Sequence, residues 1–117
     1  MFVIPDFEDA MSGRLAWKYD WQLADFAAHD LDLRLALCEK AMDNLSVGNG
    51  IGSVLSGSKA PFKVFNLIIP GISTASAAFL ASSTGTAVGS SPIFFKPNQR
   101  WIWEEDTAEK ILASLEY

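Results

Sequence analysis

Gly48-Asn49-Gly50-Ile51-Gly52 has the glycine density of a phosphate-cradling loop. A dinucleotide fingerprint, however, follows a strand and opens a helix, so that the helix N-terminus meets the pyrophosphate. Here the preceding residues have helical spacing and the following ones are serine-rich, so the order is reversed. Gly52 and Gly57 keep the four-residue gap of a P-loop, but Ser58-Lys59 stands where lysine then serine or threonine is needed. Ala60-Pro61 then blocks an immediate helix, and the lysine is not placed on a phosphate. The stretch reads as a helix stop and connector.

His29 is the only imidazole and Cys38 the only thiol. Cys38 is nine positions after His29, and on a helix they fall on different faces, which opposes a Cys–His nucleophile pair. Asp25 and Asp32, at i−4 and i+3 from His29, pair with it more simply as a helix surface. Cys38 reads as a small buried hydrophobe. Glu104-Glu105-Asp106 offers clustered carboxylates, yet stands just before a helix, where negative charge complements the dipole. One histidine and one cysteine build neither a histidine-rich metal site nor an internal disulfide. The expectation is a protein without catalytic residues, metal or cofactor.

Two features suit contact with another protein. Asp25, Asp32, Glu39 and Asp43 cluster within about 40° when placed on one helix. They form a solvated acidic face or a docking surface for a basic partner. The chain also holds four tryptophans. Trp101 and Trp103 share a side if 101–103 is extended, and tryptophan is enriched at interface anchors. Trp17 and Trp21 are i, i+4 on a helix that starts early.

The elements that would position these residues predict an α+β fold in one domain, 1–117. Its parts are a mainly helical acidic region 1–44, a Gly/Ser-rich connector 45–61, and a mixed region 62–117. Asp6 caps a short helix through Met11, and Leu15, Trp17 and Tyr19 alternate as in a short strand. Asp20 caps one long acidic amphipathic helix, Trp21 to Asn44, about 36 Å long. Ala24, Ala27, Leu31, Leu35, Cys38, Met42 and Leu45 fall on one strip of it, and Phe26, Leu33 and Leu37 on a second. Phe62 to Ile69 reads as a buried strand between Pro61 and Pro70. Ser73 caps a short Ala-rich helix to Ser83. Ile93–Phe95 and Trp101–Trp103 read as a hairpin around the loop 96–100, giving a small sheet of three to four short strands. Asp106 or Thr107 caps a C-terminal helix with Glu109 at the capping-box position.

Net charge is −5 with a pI near 4.6, which opposes direct nucleic-acid binding through phosphate neutralisation. The charge is uneven: no charged residue occurs between Lys63 and Lys96. Pro70, Gly71, Gly85, Gly89 and many serines and threonines interrupt that run, so a membrane span is not expected. The run is either core or a surface covered by another protein. Met1-Phe2-Val3-Ile4-Pro5-Asp6 lacks the basic start and apolar core of a signal peptide. An intracellular setting, or the interior of a virus particle, is the expectation. The function expected is a non-enzymatic structural or adaptor subunit of a larger assembly, such as a small virion component. Its partners would be other protein subunits, self or hetero. The alternative is a small acidic inhibitor or decoy that docks on the basic site of a nuclease or nucleic-acid-binding complex.

Overall fold

The computed structural model describes residues 2–4, 11–12, 22–48 and 55–115. It is a mixed helix and sheet protein, and its chain divides into two compact units, Met1–Lys40 and Ala41–Tyr117. The sequence-based strand over 15–19, most of the helix at 6–11, Trp17, Trp21 and the glycine run 49–52 lie outside the described residues; Met11 and Ser12 are helical.

In the first unit, β1 (Phe2–Val3) pairs in parallel with β2 (Gln22–Leu23), and Ala24 N–H extends the ladder to Val3 O at 2.9 Å. Two helices follow, α1 (Phe26–His29) and α2 (Leu31–Lys40). The single helix expected over 21–44 is therefore corrected. Its start is strand, and Asp30 interrupts it in an extended conformation (φ −130°, ψ 112°). The cause is local: the Asp30 carboxylate accepts Leu33 N–H at 3.1 Å, so Asp30 caps α2. Ala24, Ala27 and Cys38 from the expected strip are buried, whereas Leu31 is exposed.

The second unit is built on three parallel strands in the order β3 (Leu45–Val47), β4 (Phe62–Phe65), β5 (Gln99–Trp101). All four residues of the central strand are buried, as expected of a parallel strand covered on both faces. Burying Phe62 or Phe65 contributes about 1.5–3 kcal/mol each. Parallel neighbours need crossovers, and residues 66–98 supply one through a 3₁₀ turn (Ser73–Ala75) and α3 (Ala77–Thr84). The helix expected from Ser73 thus begins later, with Ser76 Oγ accepting Phe79 N–H at 3.2 Å, and stops at left-handed Gly85. The last helix is α4 (Ala108–Ser114), capped by Thr107.

Three further expectations are corrected. The connector 45–61 begins with a strand, β3. At its end Gly48 N–H bonds Phe65 O at 2.9 Å, and a Cβ on Gly48 would meet Asn66 O at 3.1 Å. The strand at 62–69 stops at Phe65, because Asn66 turns to φ 55° and gives its N–H to Glu104 O and its side-chain amide to Asp106. The hairpin does not form: β5 runs parallel to β4, and residues 92–95 are a turn closed by Phe95 N–H to Pro92 O at 3.0 Å. Pro92 and Pro97 bracket the run, and proline has no N–H to give a ladder.

Candidate functional site

Register divides the second unit's sheet into two faces. Leu45, Lys63 and Arg100 form one row, and Ser46, Val64 and Trp101 the next, on the opposite side. The first face is ionic. Lys63, on the buried central strand, donates to the Asp43 carboxylate, which also accepts Asn44 N–H. A hollow of about 290 Å³ lies here, lined by Asp43, Lys63, Asn98, Arg100 and Ser114 among others.

The second face carries an apolar cleft of about 580 Å³. Val64 and Leu67 are its buried residues, Phe95 and Trp101 contribute aromatic rings, and α3 contributes Phe79 and Leu80. Among the described residues no charged side chain lines it. The Thr84 hydroxyl in its wall is already engaged, donating to Leu80 O and bonded to Thr86 Oγ1, both at 2.7 Å.

Beside the cleft stands the Pro92–Phe95 turn. Phe95 packs edge-to-face on three rings: Phe62 at 5.1 Å, Phe94 at 5.4 Å and Trp101 at 5.7 Å. Trp101 continues the series to Trp103 at 5.7 Å. Trp103 Nε1 donates to Ser90 O at 2.6 Å, and Trp101 N–H donates to Ser91 Oγ at 3.0 Å. Pro92 is buried. The turn is therefore pinned at both sides, yet its two corner residues, Ile93 and Phe94, are 97% and 57% exposed. Corners of turns are ordinarily Gly, Asn, Asp or Ser. Two large apolar side chains therefore stand out from a turn whose flanking residues are hydrogen-bonded.

The acidic residues singled out from sequence are divided between the two units. Asp25 precedes α1, while Asp32 and Glu39 lie in the first and last turns of α2, all three exposed. Asp43 lies beyond α2, in the second unit, bound to Lys63. Trp101 and Trp103 are brought together, ring to ring, although the strand expected over 101–103 lies at 99–101. Glu104 pairs with Lys110 at 3.2 Å, and Asp106 accepts Asn66 Nδ2 at 3.2 Å. Ser58 O, in the other glycine-bearing loop, accepts from Lys96 Nζ at 2.7 Å and Gln99 Nε2 at 3.1 Å. His29 is exposed in α1 and Cys38 buried in α2, where burial pushes its thiol pKa up and the Arg34 guanidinium opposes that rise.

Sequence reasoning missed Ile93 and Phe94, reading them as strand; the flanking Pro92 and Pro97 were the available signal. Among the described residues no group of three or more His, Cys, Asp or Glu side chains could hold a metal ion, and no helix is long and apolar enough to cross a membrane. Comparison with known protein families, with characterised proteins and with solved structures gives no match to this chain.

Proposed function

We propose that the protein is a structural or adaptor subunit of a larger protein assembly and acts by contact, with the Ile93–Phe94 turn as its anchor. The observation that carries this reading is the pinned apolar tip, with Ile93 97% exposed beside an uncharged cleft. Exposed apolar groups gathered at one place mark interaction sites. Ile68, Ile72, Phe79 and Val88, from the same charge-free run, are exposed as well. The reading extends to a small component of a virus particle, where many copies of a short chain are held by such contacts. The acidic decoy is less favoured, because Asp43 is engaged with Lys63 within its own unit.

Covering Ile93 would contribute about 1.5–3 kcal/mol before the costs of association and ordering are subtracted. The test is the native mass by light scattering together with whatever purifies beside the chain. The reading expects a mass above 12.8 kDa that falls to 12.8 kDa when Ile93→Asp and Phe94→Asp are combined. A single-chain mass with no companion, unchanged by those substitutions, would contradict it.

A further inference from the structure

We infer that the hollow on the ionic face of the second unit's sheet binds a small oxyanion, a carboxylate or phosphate group, at Arg100 and Asn98, with Lys63 in the same lining. The inference goes beyond the assembly reading and does not rest on it. Three features of the hollow lead to it.

The sheet brings two cations together. Lys63 and Arg100 are register partners on adjacent parallel strands, so their side chains leave the same face. The backbones of such neighbours lie about 4.8 Å apart. Among the described residues, the charged side chains of the lining are these two and the Asp43 carboxylate, a net +1. The whole chain carries −5, so this hollow runs against the charge of the molecule. Stability alone does not account for the lysine, because a buried ion pair is often no better than an apolar pair of the same volume.

The carboxylate is committed and the donors are not. Asp43 accepts from the Lys63 ammonium and from Asn44 N–H, and the side chains of the ion pair are about one-tenth exposed. The Arg100 guanidinium has no ion-pair or hydrogen-bond partner among the described residues, and neither has the Asn98 carboxamide. Asn98 itself is held by its main chain, whose carbonyl accepts Phe62 N–H at 3.1 Å. A guanidinium offers N–H donors in a planar fork that fits two oxygens of a carboxylate or phosphate, and the carboxamide adds further donors. A cation entering here would meet Arg100, and an apolar group would leave these donors dry and unpaired.

The walls suit a small occupant. Pro61 and Pro97 line the hollow and have no N–H of their own, so they lower the dielectric and strengthen the attraction to a charge. At about 290 Å³ the hollow lies at the lower end of the range for ligand pockets, which limits it to a small anion or the charged end of a larger molecule.

The test is a two-dimensional proton–nitrogen NMR titration of the native chain with sodium phosphate and, separately, sodium acetate, with sodium chloride holding the ionic strength constant. Saturable shifts are expected at the Asn98 side-chain amide and at the Arg100 Nε–H. Arg100→Gln, at an exposed position that leaves Lys63 and Asp43 paired, should weaken binding at least about tenfold, the worth of one charge-assisted hydrogen bond. Asn98→Ala, also exposed, serves as the second variant if Arg100→Gln does not fold. Lys40→Gln removes the same charge at the end of α2, outside the lining, and should change the affinity by less than about twofold. Saturation by phosphate alone assigns a phosphoryl group, by acetate alone a carboxylate, and by both an oxyanion site without preference; each supports the inference. No saturable shift with either salt, saturation that Arg100→Gln leaves unchanged, or equal weakening by Arg100→Gln and Lys40→Gln overturns it. The native mass tests the assembly reading separately, so either can fail without the other.

Discussion

Replacing Lys63 by methionine should be among the most damaging single changes in the second unit. Lys63 and Asp43 side chains are only 8% and 10% exposed, and the ammonium is bound to the carboxylate. Lys63 stands on the central strand between Phe62 and Val64, so the charge cannot move out to water without disturbing the ladder. Methionine fills most of the lysine stem and leaves the Asp43 carboxylate buried without the ammonium, its hydrogen bond from Asn44 N–H still in place. Removing one partner of a buried pair costs about 3–5 kcal/mol, whereas removing both often costs nothing. For a unit of this size each kcal/mol moves the melting point by about 4–8 °C, so Lys63→Met should lower it by roughly 12 °C or more. Lys63→Met with Asp43→Leu should return to within about 1 kcal/mol of the native chain or exceed it. Urea unfolding followed by near-ultraviolet dichroism measures all three. If Lys63→Met alone lies within about 1 kcal/mol of native, the pair is not the buried, mutually dependent contact described.

Smaller changes follow from the same geometry. Ser46 Oγ is buried with no hydrogen-bond partner among the described residues, so Ser46→Ala should be neutral or stabilising by up to about 1 kcal/mol in urea melts. Asn66 sits at φ 55°, where a β-branched residue is strained; Asn66→Val should cost about 1–3 kcal/mol, and Asn66→Gly clearly less. Burial raises the Cys38 thiol pKa, so the folded chain should be alkylated more slowly than the urea-unfolded chain at pH 8. The sign for stability follows: Cys38's contribution is complete below the ordinary thiol value and declines as pH rises through it, and Cys38→Ala should flatten that decline.

The C-terminal helix was legible in the sequence because its signals are local: Thr107 at the cap, Glu109 in the first turn, and Ile111, Leu112 and Leu115 as its apolar face, of which Leu112 is exposed. The start of β4 was legible from a run of apolar residues after Pro61. The long helix was misleading because its apolar spacing continues unbroken through Asp30, while the break depends on one carboxylate choosing the Leu33 N–H. β3 was hidden because Leu45-Ser46-Val47 is only three residues long and runs into glycines; it becomes a strand by lying against buried β4. Parallel pairing of β5 was invisible for the same reason, since direction is set by the 66–98 crossover rather than by the three residues that pair. In the site, the Trp101–Trp103 contact forms although the strand ends at Trp101, short of the 101–103 that alternation needs. Asp43 could not be assigned to Lys63, twenty residues away, without the sheet. Ile93 and Phe94 were read as strand because apolar residues in series imply burial, and only the turn shows them facing water.

Hydroxyl-radical footprinting of the assembled native preparation, against the same chain dissociated by dilution, tests the central claim most directly. Met42, 92% exposed in the same unit, serves as the internal reference. The account predicts that Ile93 and Phe94 are modified readily in the dissociated chain and are protected at least severalfold in the assembly, with Met42 unchanged. Equal modification of Ile93 in both states would contradict it.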